Sequence, residues 1–268
     1  MKTAQKITLI AVLFFYSLSL LAQTQEPMFL IVETMKTMPN KSAEYEKNER
    51  EIWKKLHQER IKRGLIVSWN LYAVRYPSGS NVAYDYVTVT VIQGLKKVEN
   101  PWGTMFTDAE KLLTKEQYKR GMDIGDLRNL TTSTVYYGSD FVAADPKATT
   151  PSRYQMINMM KIKNDKWDDA MNMETKIVKP MHVEMMKTGG KAAWGLYTQM
   201  LPSGENQASD YVTSDFYNTW EDMDKEGDFK KALAKVHPGM SAVAYDKKIS
   251  DARRLVNREL WELIDFAK

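Results

Sequence analysis

The chain has 268 residues, a formal charge of +4 from 38 basic and 34 acidic side chains, and no cysteine. So small and mixed a charge argues against nucleic acid as a partner. The lack of cysteine excludes disulfide staples, a lipidated-cysteine export signal and Cys/His zinc spacings, so stability must come from the core.

The chain opens with MKTAQKITLIAVLFFYSLSLLA, residues 1–22: Lys2 and Lys6, an apolar run, then small residues ending at Ala22. This is the layout of a cleaved secretory signal peptide, and the protein is expected to be exported, periplasmic or secreted. The run from Ile7 is about 16 residues, short of the ~20 that span a bilayer, so no membrane span is expected after cleavage.

WNLYAVRYPSGSNVAYDYVT, residues 69–88, returns as WGLYTQMLPSGENQASDYVT, residues 194–213. The same offset of 125 superposes His57 on His182, Glu49 on Glu174, Asp85 on Asp210, Arg128 on Arg253 and Asp140-Phe141 on Asp265-Phe266. The copies span 28–142 and 153–267, and the hydrophilic stretch 143–152 links them. Each copy is too long for a solenoid repeat and is read as a domain.

Within a copy, FLIVETMK (29–36) reads as a buried strand. A helix follows, with Asn40 and Asp165 as N-caps and Gly64 and Gly189 as left-handed C-terminal residues. Tyr45, Ile52, Trp53, Leu56 and Ile61 form its apolar stripe, and Pro180 is expected to kink the second copy's helix. Strands over about 65–76 and 82–92 flank a Pro-Ser-Gly turn. A second helix is expected near 105–120 and 220–236, and TSTVYYGSDFVA and RELWELIDFA close the copies as strands. The order β-α-β-β-α-β is the ferredoxin-like plan, with both helices on one sheet face. Runs such as YVTVTVI leave the other face apolar, so the two sheets are expected to cover each other as an intrachain pseudo-dimer, an α+β fold.

On this element order and duplication the chain resembles the dimeric α/β-barrel superfamily: antibiotic-biosynthesis monooxygenases, stress-responsive barrel proteins, NIPSNAP-type tandem proteins and the haem-binding chlorite dismutase group. The resemblance covers nearly all of the chain beyond the leader and rests on no diagnostic motif. It implies a cleft, between sheet and helices or between the sheets, for an apolar or aromatic molecule or a haem. The Asn, Trp and His set of haem-degrading relatives does not map here, since Trp69 lies on a strand while His57 lies on a helix.

His57 and His182 are the candidate general bases or haem ligands, oriented by Asp85 and Asp210; the alternative is a buried imidazole hydrogen-bonded to those carboxylates. Asp85 and Asp210 either hold hairpin backbone or Arg128 and Arg253, or move a proton. Trp53, Trp69, Tyr72, Tyr86, Trp194, Tyr197 and Tyr211 are candidate ligand-binding aromatics, or core. Met181, His182, Met185 and Met186 carry soft ligands suited to Cu(I), though flexible core filling uses the same residues. His237 reads as a loop residue without a role. No dedicated metal motif or phosphate loop is present. The leading reading is a binding protein for an apolar or aromatic small molecule, or a cofactor-independent monooxygenase or isomerase; the alternatives are a noncatalytic structural protein and a haem or copper protein.

Overall fold

The computed structural model describes residues 26–163, 165–187, 189–225 and 227–268. The proposed signal peptide lies outside the described residues. Copy one contributes β1 (Met28–Thr37), a long helix made of α1 (Ser42–Asn48), a π-helical turn (Glu49–Trp53) and α2 (Lys54–Lys62), then β2 (Ser68–Tyr76) and β3 (Tyr86–Gln93). The short helices α3 (Lys96–Glu99), α4 (Met105–Leu112) and α5 (Lys115–Met122) lead into β4 (Arg128–Ala143). Copy two repeats this with β5 (Tyr154–Ile162), α6 (Trp167–Met173), a π-helical turn (Glu174–Val178), α7 (Lys179–Met186), β6 (Lys191–Leu201), β7 (Tyr211–Tyr217), α8 (Phe229–Val236), α9 (Ala242–Ala252) and β8 (Arg253–Ala267).

All eight strands close into one antiparallel barrel in the order β1-β3-β2-β8-β5-β7-β6-β4. Each copy supplies four neighbouring strands, and the copies join at two seams: β2 on β8, and β4 on β6. The seams are reciprocal. Lys54 of copy one donates to Asp265 on the last strand of copy two at 2.6 Å, and its mate Lys179 donates to Asp140 at 2.7 Å. Register shifts also recur at matching places, after Thr34 and Met159 and around Ser139 and Ile264. The two sheets thus face each other, as expected, and are joined edge to edge, which leaves no free sheet edge to pair with another chain.

Because strand side chains alternate, the barrel sorts its residues into two layers. Tyr72, Val87, Val89, Ile157, Val212 and Trp261 point inward and form the lumen core. Trp69, Leu71, Tyr86 and Ile92 point outward under the helices of copy one, and Trp194, Leu196 and Tyr211 under those of copy two.

Several sequence expectations are corrected. Asn40 and Asp165 are not N-caps; they sit at φ 63° and 53°, a left-handed turn that short polar side chains tolerate, and the helices start after Lys41 and Lys166. Gly64 is left-handed at φ 67°, but Gly189 has no such φ; it is glycine because a Cβ there would lie 2.7 Å from the Lys225 carbonyl oxygen. Pro180 does not cause the helix irregularity, since copy one makes the same π turn with Lys55 at the matching position. Pro180 comes just after the π turn inside this continuous helix, where it removes one backbone donor. The second helix of each copy is split, and in copy two it begins at Phe229, with α9 unforeseen. The Pro-Ser-Gly segments lie in nine-residue loops, 77–85 and 202–210, longer than a tight hairpin turn.

Candidate functional site

The lumen encloses a cavity of about 270 Å³ at the barrel end formed by the loops 77–85 and 202–210. Leu30, Val32, Val89, Ile157, Met159, Val212 and Trp261 give it an apolar wall. Polar atoms come from Thr34, Tyr84, Thr132, Thr134, Tyr136, Gln155, Tyr197, Gln199, Gln207, Ser209 and Ser214. Among the described residues, no lysine, arginine, histidine, aspartate or glutamate lines it. Such a site disfavours anions, because an anion moved there would lose its hydration and find no cationic partner in return.

The polar lining is partly committed. Gln155 donates to Ser214 at 3.0 Å, Ser209 donates to Gln199, and Thr34 Oγ1 lies 2.6 Å from both Thr131 and Thr132. The hydroxyls of Tyr72, Tyr136 and Tyr197 have no hydrogen-bond partner among the described residues. Burial raises the pKa of all three, and of Tyr136 to about 12, so each remains a neutral donor at physiological pH.

Behind the wall stands Glu259 on β8, a buried carboxylate. It accepts from Tyr84 Oη at 2.7 Å, Trp261 Nε1 at 2.8 Å and Asn257 Nδ2 at 3.0 Å. These donors fix the orientation of two residues that do line the cavity, Tyr84 and Trp261. Burial and the adjacent Glu259 also raise the Tyr84 pKa. At the offset of 125, Glu259 falls on Thr134, Trp261 on Tyr136 and Tyr84 on Ser209. Sequence reasoning passed over Glu259, although its signal was present: a carboxylate at an inward strand position where the sister copy has a hydroxyl.

The residues singled out from sequence separate into different places. His57 lies on α2, outside the barrel, with its ring stacked 4.5 Å from Trp69. Arg60 Nη1 donates to His57 Nδ1 at 2.8 Å, and its guanidinium lies 3.9 Å over Trp102. His182 stacks on Trp194 and accepts at Nδ1 from Lys191 Nζ at 2.9 Å; Lys191 in turn donates to Asp215 at 2.8 Å. Both histidines therefore carry their proton on Nε2. Burial, then the adjacent cation, lowers both pKa values, that of His182 to about 3.

Asp85 and Asp210 meet neither histidine nor either conserved-offset arginine. Asp85 accepts from Lys36 Nζ at 2.8 Å and from the Thr37 amide at 2.9 Å; Asp210 does the same with Lys161 at 2.8 Å and Ile162 at 2.7 Å. Burial alone would raise the Asp85 pKa, but the hydrogen bonds from Lys36 and Thr37 outweigh it and hold the carboxyl below its usual range. Arg253 instead donates to Glu174 at 2.7 Å, beside the Tyr211 hydroxyl. Tyr86 donates to Glu46, and Trp53 packs edge-on against Trp102. Of the seven candidate aromatics, only Tyr72 and Tyr197 face the lumen.

A histidine-ligated haem does not fit these residues. None of the three histidines lines the lumen cavity or the groove at the other barrel end, and His237 Nε2 donates to the Ile177 carbonyl of the π turn at 3.0 Å. The copper set is core: Met181 and Met185 are buried in the copy-two cluster, and His182 Nδ1 is taken by Lys191.

No protein-family model matches the sequence, and no curated protein does. Solved structures do match over nearly the whole length. A candidate chlorite dismutase, TA0507, superposes at TM-score 0.51 with 11% identity, over 89% of this chain and 95% of that one. A candidate monooxygenase of Lactobacillus acidophilus gives 0.51 at 11% identity, covering 91% and 97%. Another from Fusobacterium nucleatum gives 0.53 at 7%, covering 92% and 96%. The fold is the dimeric α/β barrel. In this dimeric α/β barrel both halves lie in one chain, and at such identities the likeness speaks for the fold alone.

Proposed function

We propose that this chain is an exported protein that holds an uncharged apolar or aromatic small molecule inside its barrel. The observation that carries the reading is the lumen cavity: apolar walls and, among the described residues, phenol hydroxyls without protein partners and no charged lining residue. Neutral phenols serve a ligand that offers a carbonyl, ether or hydroxyl oxygen as acceptor. The fold it shares with candidate monooxygenases agrees with a site for a small organic molecule.

A second reading, catalysis without a cofactor, is favoured by one contact. The Tyr84 hydroxyl donates to buried Glu259, so Tyr84 is placed to pass its proton to that carboxylate while taking one from a bound molecule, and to run the relay backwards and return a proton to a different atom of that molecule, which together make an isomerisation. His57, His182, Asp85 and Asp210 lie outside the lumen and are read as structural.

Thermal-shift titration separates the possibilities. An uncharged aromatic such as 2-naphthol should raise the melting temperature, since ligand at a hundred times its dissociation constant stabilises by about 2.7 kcal/mol. The 2-naphthoate anion should not. A Val89→Trp substitution, which fills the lumen, should abolish the shift. Equal stabilisation by naphthol and naphthoate would sink the neutral-cavity reading. The export reading is checked by the N-terminal residue of protein recovered outside the cytoplasm, expected to follow Ala22.

A further inference from the structure

The opposite end of the barrel opens into a groove of about 1190 Å³ beneath the segment 144–152. Leu30, Val89, Gln155 and Tyr197 line both this groove and the lumen cavity, so the two spaces adjoin at the barrel waist. On the groove side of that waist stand Asn70 and Tyr72.

Asn70 is the anomaly. It is 8% exposed, sits mid-strand in β2 facing inward, and its Oδ1 has no hydrogen-bond partner. A buried polar atom left unpaired is destabilising, because it has given up water without gaining a partner. Its mate in copy two is Gly195, and there the reason for the residue is plain: a Cβ would lie 2.3 Å from the Tyr197 hydroxyl. The pseudo-two-fold is therefore broken on purpose-built lines. One side carries a carboxamide, and the other is emptied so that a phenol folds back toward the groove end. Tyr72 and Tyr197 both line the groove, so the two phenols stand at the same waist.

From this asymmetry we infer that the waist is a polar subsite in which the Asn70 carboxamide anchors an uncharged hydrogen-bonding group, a hydroxyl or amide, of a molecule whose apolar part lies in the lumen. A carboxamide both donates and accepts, and rotation by half a turn exchanges the two at constant shape, so it matches a group that does both. An apolar residue at position 70 would suit a purely hydrocarbon ligand better and would leave nothing unpaired. The inference rests on the proposed ligand site and adds which part of the molecule is recognised, and where.

Calorimetric titration of the intact protein with 2-naphthol and with 2-methylnaphthalene tests it. The two probes share their shape and differ in the hydroxyl. Wild type should favour naphthol, and Asn70→Leu should weaken naphthol binding about tenfold while leaving methylnaphthalene unchanged or tighter. Asn70→Ala keeps the test in hand if leucine overpacks the waist, with the same loss expected for naphthol alone. Equal weakening of both probes in either variant, or no change with naphthol, overturns the anchor while leaving the ligand site intact. Failure of both probes to bind wild type overturns the ligand site and the anchor together.

Discussion

Glu49 starts the π turn of copy one and is 4% exposed. Burial raises its pKa to about 7, against the opposing pull of Arg128 and the Tyr45 hydroxyl, with Glu33 adding to the rise. The folded protein thus holds a proton there that the unfolded chain releases near pH 4.5. Stability from this group is complete below pH 4.5 and is lost as pH rises toward 7, by about 3 kcal/mol for a shift of that size. His182 has the opposite sign: its pKa falls from 6.5 to about 3, so its contribution is complete above pH 6.5 and is lost as pH falls. Between pH 4.5 and 6.5 the two slopes oppose each other. Glu49→Gln should therefore melt higher than wild type above pH 7 and match it near pH 4.5, when chemical unfolding is followed across that range. A constant difference at every pH would mean that the Glu49 carboxyl titrates normally in the fold.

The strands and helices show where sequence reasoning reaches and where it stops. The repeat is legible because pairs such as Asp140 and Asp265 must fill the same geometric slot twice, and the shared offset carried the strand order and the closure of the two sheets on each other. The aromatic set was not resolved by that offset. Trp69 and Tyr72 differ by three positions on one strand, so they must face opposite sides, and the same holds for Trp194 and Tyr197. Repetition marked all of them; only alternation separates the lumen pair from the outer layer. The partners of Asp85 were hidden for another reason, since pairing it with Lys36 needs the β1–β3 register, which no local pattern supplies. The seam ion pairs belong to this scale too. Asp140 and Asp265 each accept from a lysine of the other half and from the next backbone amide of their own strand, at 2.8 and 2.9 Å. Asp140→Asn and Asp265→Asn should each cost about 1 kcal/mol, a partly exposed pair being weak. Their costs should add, because the pairs sit on separate seams. In 1 M salt the cost of each should shrink. A double variant far less stable than the sum would show that the seams are coupled.

Taken whole, the molecule is a dimer written into one chain, and its topology decides how it comes apart. Neither half owns a closed sheet. Copy one ends in two open edges, β2 and β4, and each is hydrogen-bonded along its length by a strand of copy two: Trp69 through Tyr76 on β8, and Val135 through Ala143 on β6. Opening one seam would expose inward residues such as Tyr72, Val89, Val212 and Trp261 to water, at roughly 25 cal/mol for each Å² of apolar surface. The covalent link between the halves is by comparison slight. Residues 144–150 are exposed, and among the described residues their backbone contact to the barrel is the Ala144 amide donating to the Ala192 carbonyl at 2.8 Å. Cutting this segment removes the entropic advantage of the tether but none of the seam bonds. A protease site placed at residues 146–150 and cleaved to completion should therefore leave a complex that elutes as intact protein does and melts in one transition, at a temperature that now depends on protein concentration. Two separately eluting halves, or two melting transitions, would mean that the link and not the seams holds the barrel closed.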